Sequence, residues 1–177
     1  MRVVDEDYMN FESPRSHIPR ARQFDVFKQE YGDPEKVWHP GPGDDLSASD
    51  VFSNVLHSDR NSNVIEMLEN QGLESKKEDI MDADHGPYDL VIWINFPVEG
   101  ISDVTERNIE EGGYVVANSY VKDAEEFDRN RNFRGVGKLE YSDEAHLTEF
   151  DTPECPGWEK ARKNEGPLWI FEYDSTN

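Results

Sequence analysis

The sequence predicts an α/β chain built on a doubly wound, mostly parallel, seven-stranded sheet, with helices on both faces and an antiparallel strand at one edge. Three observations carry this. Strand-type and helix-type segments alternate along most of the chain, as they do where helical crossovers join parallel strands. Tyr88-Asp89-Leu90-Val91-Ile92-Trp93-Ile94-Asn95 is a near-continuous apolar run, the mark of a central strand covered on both faces. The last two strand segments, Phe133 to Tyr141 and Leu168 to Tyr173, lack a helix of crossover length between them and fit an antiparallel pair at an edge.

The elements follow in order. Residues 1–18 are polar and read as an N-terminal arm, residues 19–174 as a single domain and residues 175–177 as a tail. Phe24, Phe27 and Tyr31 share one face of a helix from Arg20 to Tyr31, which Gly32 and Pro34 stop. A strand over Lys36 to His39 breaks into Pro40-Gly41-Pro42-Gly43, and Asp44 to Phe52 leaves room for at most a short helix. Asn54 to Ser58 forms the next strand. Asn61 to Gln71 is amphipathic through Val64, Ile65 and Leu68 and is capped by Gly72. Glu74 to Asp79 is a weak third strand. Ser102 or Asp103 can cap a helix running to Glu111, which Gly112-Gly113 ends before the strand Tyr114 to Asn118; Asp123 to Asn130 is the last helix.

A length of 177 residues suffices for one core without disulfides, and the single Cys155 excludes both an internal disulfide and a thiolate zinc cluster. No window approaches the length of a membrane span and the N-terminus lacks a signal-type apolar run, so a cytoplasmic protein is expected. Against 18 basic residues stand 39 acidic ones, a net charge of −21. That charge repels nucleic-acid phosphates and anionic membranes; a protein partner or a second copy of the chain stays open. The acids are spread along the chain, the pattern of a surface adapted to molar salt, which points to a haloarchaeal or haloviral source.

A strand ending in two glycines, followed by a second strand ending in Asp59, makes a pocket of the nucleoside kind. Backbone N–H groups of the turn suit the polar end of a ligand, and a carboxylate accepts hydrogen bonds from both ribose hydroxyls. In these residues the chain resembles the class I S-adenosylmethionine-dependent methyltransferases, from about Val37 to Tyr173. Gly41-Pro42-Gly43 is similar to that family's glycine turn, with Asp45 where a third glycine is common and His39 where an acid is usual. Asp59 stands where the family holds the ribose. Asp79-Ile80 is similar to its adenine-side motif, and Asn95-Phe96-Pro97 to the strand end beside the methyl-transfer site. The resemblance implies S-adenosylmethionine as a small-molecule cofactor, contacted by Gly41, Pro42, Gly43, Asp45, Asp59, Asp79, Ile80 and Asn95. It also implies methyl transfer to a small-molecule or protein acceptor facing Asn95 and Tyr120. No catalytic residue and no metal ligand is assigned. A second reading is a silent methyltransferase-like scaffold serving as an interaction or regulatory module, and a third is a nucleotide- or NAD-binding protein of related sheet order.

Simpler roles stand beside these. Gly41 and Gly43 can form a tight turn without a ligand, Asp59 can cap the helix near Ser62, Asp79 can end a strand in solvent, and Asn95 can satisfy backbone groups. His39 and His57 lie at equal depth on neighbouring strands and read as neutral core histidines. His85 reads as an exposed turn residue, Trp158 as a candidate pocket cover. Arg15, Arg20 and Arg22 can close over a cofactor carboxylate or an anionic substrate, and read more simply as a solvated helix face. If the acidic surface is a salt adaptation, the midpoint of thermal unfolding rises steadily as KCl goes from dilute to molar; a flat or falling midpoint contradicts it.

Overall fold

A computed structural model describes residues 18–43, 45–118, 123–140 and 166–177. Tyr120, Cys155, Trp158, Arg15 and nearly all of the expected arm lie outside these residues. The seven strands are β1 (Val37–Pro40), β2 (Val55–Asp59), β3 (Ser75–Lys77), β4 (Tyr88–Trp93), β5 (Ile109–Ala117), β6 (Phe133–Leu139) and β7 (Leu168–Tyr173). Among the described residues the helices are α1 (Ile18–Tyr31), α2 (Ser47–Val51), α3 (Ser62–Asn70), α4 (Ile101–Asn108) and α5 (Asp123–Arg129), with one 3₁₀ turn at Ile80–Asp82. They form one sheet in the order β3-β2-β1-β4-β5-β7-β6. Strands β1 to β5 run parallel, and β7 is reversed against both β5 and the outermost β6. The antiparallel pair is therefore at the edge, as the sequence pattern of its two strands implied.

Strand alternation sorts the core onto two faces. On one, Val37, Leu90, Ile92 and Val116 meet Phe24 and Phe27 of α1 and Phe52 beyond α2. On the other, Trp38, Val91, Trp93 and Val115 meet Ile101 and Val104 of α4 and Ala124 and Phe127 of α5. Burying Phe24 and Phe27, each 1% exposed, contributes roughly 1.5–3 kcal/mol apiece. The helix predicted from Phe24, Phe27 and Tyr31 thus does what its spacing required. Its Arg20 corrects the reading of a solvated stretch: it is buried, and its Nη1 donates to the Gly166 carbonyl (2.9 Å) and to Gln23 Oε1 (2.7 Å). Gln23 Nε2 donates to the carbonyls of Leu139 and Gly166, so α1 clasps the ends of β6 and β7. Arg22 is exposed.

Two helix boundaries depart from the sequence reading. Helix α4 stops at Asn108, not Glu111, because buried Ile109 already pairs with Tyr88 in the sheet. Pairing resumes at Leu90 with Tyr114, and the exposed residues between bulge outward before the glycines are passed. Nor do Ser102 or Asp103 cap α4. Gly100 is its N-cap, and Glu126 of α5 accepts the N–H groups of Gly100 (3.2 Å) and Ser102 (2.8 Å). That cap comes from a residue more than 20 positions away, which no local pattern announces.

The β3–β4 crossover has only the 3₁₀ turn where a helix is usual, and polar contacts hold it instead. Asn108, fully buried, accepts the N–H groups of His85 (2.9 Å) and Gly86 (3.1 Å) and donates to the carbonyls of Ala83 and Val104 (both 2.8 Å). His85 is not an exposed turn residue. Its Nε2 lies 2.6 Å from Glu78 Oε1 and its Nδ1 2.7 Å from the Tyr88 hydroxyl. Ser58 Oγ donates to the same Glu78 oxygen (2.7 Å) and accepts from Trp38 Nε1 (2.9 Å). Replacing Asn108 by alanine strands four backbone groups at once, so Asn108→Ala should lower unfolding stability by about 2–4 kcal/mol in chemical denaturation. A loss under about 0.5 kcal/mol contradicts the hub role.

Candidate functional site

Sheet order reverses between β1 and β4: β2 and β3 lie to one side of β1, β5 onward beyond β4. A crevice at the carboxyl ends of the strands at such a switch point is where open α/β sheets bind ligands. Two loops meet there, the turn after β1 and the segment after β4. Gly41 and Gly43 both take left-handed φ values, 62° and 58°. The Gly41 N–H is not free for a ligand, because it donates to the Ser58 carbonyl (2.7 Å) and extends the β1–β2 ladder by one step. Pro42 has no N–H to offer. What the turn supplies is close approach: a glycine surface beside the carboxyl end of β2.

Ile80 also reaches this crevice. A methyl group on Gly41 would lie 3.8 Å from Ile80 Cδ1, and only 2.7 and 2.9 Å from Cδ2 and Cε2 of Phe96. The residues the sequence singled out therefore fall into two groups. Gly41, Ile80 and the Asn95-Phe96 segment come together across the switch point, with Asp59 directly after the Ser58 that binds Gly41. Asp45 and Asp79 are occupied locally: Asp45 Oδ1 accepts the Ser47 N–H (2.9 Å) at the start of α2, and Asp79 Oδ1 accepts the Met81 N–H (3.1 Å) and caps the 3₁₀ turn. Asp59 does not cap α3; Asn61 does, through the Asn63 N–H (2.9 Å), while Asp59 Oδ1 accepts the Asn61 N–H (2.9 Å). Burial holds the Asp59 carboxyl above the usual carboxylate range, opposed by the N–H groups of Asn61 and Arg60.

Asn95 is exposed and has φ 56°, a left-handed value rare outside glycine. Asn118, at the end of β5, holds it there. Its Oδ1 accepts the Asn95 N–H (3.1 Å) and its Nδ2 donates to Asn95 Oδ1 (2.6 Å). One residue on, the Phe96 N–H donates to Asp123 Oδ2 (3.0 Å). Asp123 is 2% exposed, and burial raises its carboxyl to about 7, with the Phe96 N–H opposing and Glu126 adding to the rise. Sequence reading passed over Asp123 because an acid in a helix's first turn is ordinary; its meaning comes from a partner 27 positions away.

His39 and His57 pair in register on β1 and β2, with ring centroids 5.5 Å apart. Both are buried, and desolvation lowers them to about 4 and about 3 respectively. Neither Nδ1 has a hydrogen-bond partner among the described residues, while His57 Nε2 meets Ser49 Oγ at 3.0 Å. An unpartnered lone pair is tolerable here; an unpartnered N–H⁺ is not, so both rings stay neutral. Among the described residues no cluster of three or more His, Cys, Asp or Glu side chains is placed to hold a metal ion. A separate cleft of about 160 Å³, lined among others by Lys36, Glu74, His85 and Tyr88, opens at the amino ends of the strands and includes none of the predicted site residues.

The sequence matches no protein-family model and no curated protein. Solved structures do match. The N-methyltransferase NodS from Bradyrhizobium japonicum WM9, in complex with S-adenosyl-L-homocysteine, aligns over 96% of this chain and 90% of its own at 12% identity, TM-score 0.58. An S-adenosylmethionine-dependent methyltransferase from Clostridium acetobutylicum aligns over 91% of this chain and 93% of its own at 12% identity, TM-score 0.60. Thermoplasma acidophilum 1320 aligns over 97% and 94% at 13% identity, TM-score 0.55. At such identities the likeness is one of fold: the chain has the class I methyltransferase fold. No described helix is long and apolar enough to cross a membrane.

The titrations have opposite signs. His57 sits below its ordinary 6.5, so as pH falls from 6.5 toward 3 the unfolded chain gains a proton first and stability is lost. Asp123 sits above its ordinary 3.8, so its contribution is full below that pH and is lost as pH rises through about 7. Denaturation curves from pH 4 to 8 separate them. His57→Gln should flatten the acid limb by up to about 1.4 kcal/mol per pH unit. Asp123→Asn should stabilise the protein by about 1–3 kcal/mol at pH 8 and leave it unchanged near pH 4. Parallel curves for variant and parent at either position overturn the corresponding assignment.

Proposed function

We propose that the protein binds S-adenosylmethionine at the β1/β4 switch point and transfers its methyl group to a small-molecule or protein acceptor. The observation that supports this reading is the meeting of left-handed Gly41, Ile80 and Phe96 at the Asn95 end of β4, in a chain whose fold aligns with methyltransferase structures. When bound, the cofactor supplies a sulfonium methyl group open to displacement by a nucleophile. This chain's residues then have to bind and align. In the proposal Gly41, Pro42 and Gly43 give the methionine end close access to backbone. Asp59 accepts from the ribose hydroxyls through its carboxylate. Ile80 and Asp79 flank the adenine, Asp45 fixes the start of α2 behind the turn, and Asn95 borders the acceptor. Residues 19–174 act as one domain, and the acidic surface serves a protein working in molar salt.

The second reading, a silent scaffold, has an observation in its favour: the Phe96 ring occupies the space that Gly41 leaves open. Calorimetric titration with S-adenosylmethionine and S-adenosylhomocysteine in molar KCl decides between the two. A binding protein gains stability as RT ln(1 + [L]/Kd), about 2.7 kcal/mol at 100 Kd. Asp59→Ala should weaken binding by about tenfold, the worth of one hydrogen-bonded pair to a charged acceptor. No heat and no thermal shift at millimolar ligand would leave the scaffold reading standing.

A further inference from the structure

We infer that Phe96 is a built-in plug: its ring fills the ligand side of the glycine turn, and a ligand of the adenosyl class enters only by displacing it. This deepens the reading above and rests on it. A left-handed glycine after a buried strand leaves open the volume a side chain would claim. Here that volume is taken, since a methyl group on Gly41 would overlap the Phe96 ring at 2.7 and 2.9 Å. The ring is turned inward against the fully buried Trp93, edge to face with centroids 5.0 Å apart.

Its direction is imposed by its neighbours. Asn95 at φ 56° reverses the chain just before the ring, and that conformation is held by the paired amides of Asn95 and Asn118. The Phe96 N–H is fixed on Asp123, and the far end of the loop on Glu126 through Gly100 and Ser102. Every one of these anchors comes from β5's end or α5, so the loop is strapped from a single side. The ring itself is only half-buried, between exposed Asn95 and exposed Pro97. It can therefore leave without opening the core that Trp93 seals. The result is two states, plug in and plug out, of which only the second presents Gly41 to a ligand. Apparent affinity is then the intrinsic affinity reduced by the fraction of molecules in the open state.

The experiment is calorimetric titration of S-adenosylhomocysteine, in molar KCl, into the parent chain, Phe96→Ala, Phe96→Leu and Asn118→Ala. Removing the ring should tighten binding by about tenfold, and Phe96→Leu should give a smaller gain. Asn118→Ala, which removes the anchor that holds Asn95 and keeps the ring, should also tighten binding. Thermal unfolding of each variant reports its folding, and Phe96→Leu serves if the alanine variant fails to fold. Binding by Phe96→Ala or Phe96→Leu where the parent is silent is the strongest support. Parent binding with equal or weaker binding by the ring variants overturns the plug and leaves the functional reading intact. Silence from all four chains at millimolar ligand overturns both.

Discussion

How the chain leaves β1 governs the carboxyl edge of the sheet. All four β1 residues are buried and the strand is hydrogen-bonded to parallel neighbours on both sides, so it can neither slide nor twist away. Its exit is therefore fixed in space. Pro40 ends it, and the Gly41 N–H completes one more rung on Ser58 before φ turns positive. That rung sets the turn beside the end of β2, and sheet order sets it opposite the end of β4. The place of the turn follows from backbone pairing before any side chain is considered.

Side chains then decide what stands against that turn. The loop after β4 is bound by acceptors from β5's end and α5, and one of them, Asp123, is buried with its carboxyl raised to about 7. Near neutrality the strap thus contains a carboxyl close to its own midpoint. The buried histidines on the opposite face add a second constraint, because charging either ring would place an unpartnered N–H inside the protein. Their destabilisation on acidification runs counter to the Asp123 contribution over an overlapping pH range. A net pH profile would conceal both, which is why substitution is needed to see either.

The shortened β3–β4 crossover shows a different economy. Where a helix would cover the sheet, a chain of hydrogen bonds from Trp38 through Ser58, Glu78 and His85 to Tyr88 covers it, and Asn108 anchors the loop with all four of its hydrogen-bonding positions. Burial, with Glu78 and Glu74 adding, pushes the Tyr88 phenol up to about 12 and keeps it a hydroxyl donor. Polar satisfaction at this density fixes a unique loop conformation, which apolar contacts in so short a segment would not.

Residue patterns alone announced the seven strands, their alternation with helices and the reversed pair at one edge, while both ends of α4 and the early start of β5 escaped them. Those signals are local: Phe24, Phe27 and Tyr31 lie within one helix, Leu90 to Trp93 within one strand, and Gly41 within one turn. They marked Gly41, Asp59, Ile80 and Asn95 for the same reason, each standing at an element's end. It took the packed chain to show that Phe96 lies over Gly41, that Asp123 and Glu126 strap its loop, that Arg20 and His85 are bonded inside, and that Asp45 and Asp79 each accept an N–H from two positions further on. Residue type cannot distinguish a carboxylate that caps its own turn from one that binds across the fold. That choice depends on which N–H group arrives within about 3 Å, and arrival is set by the packing of distant elements.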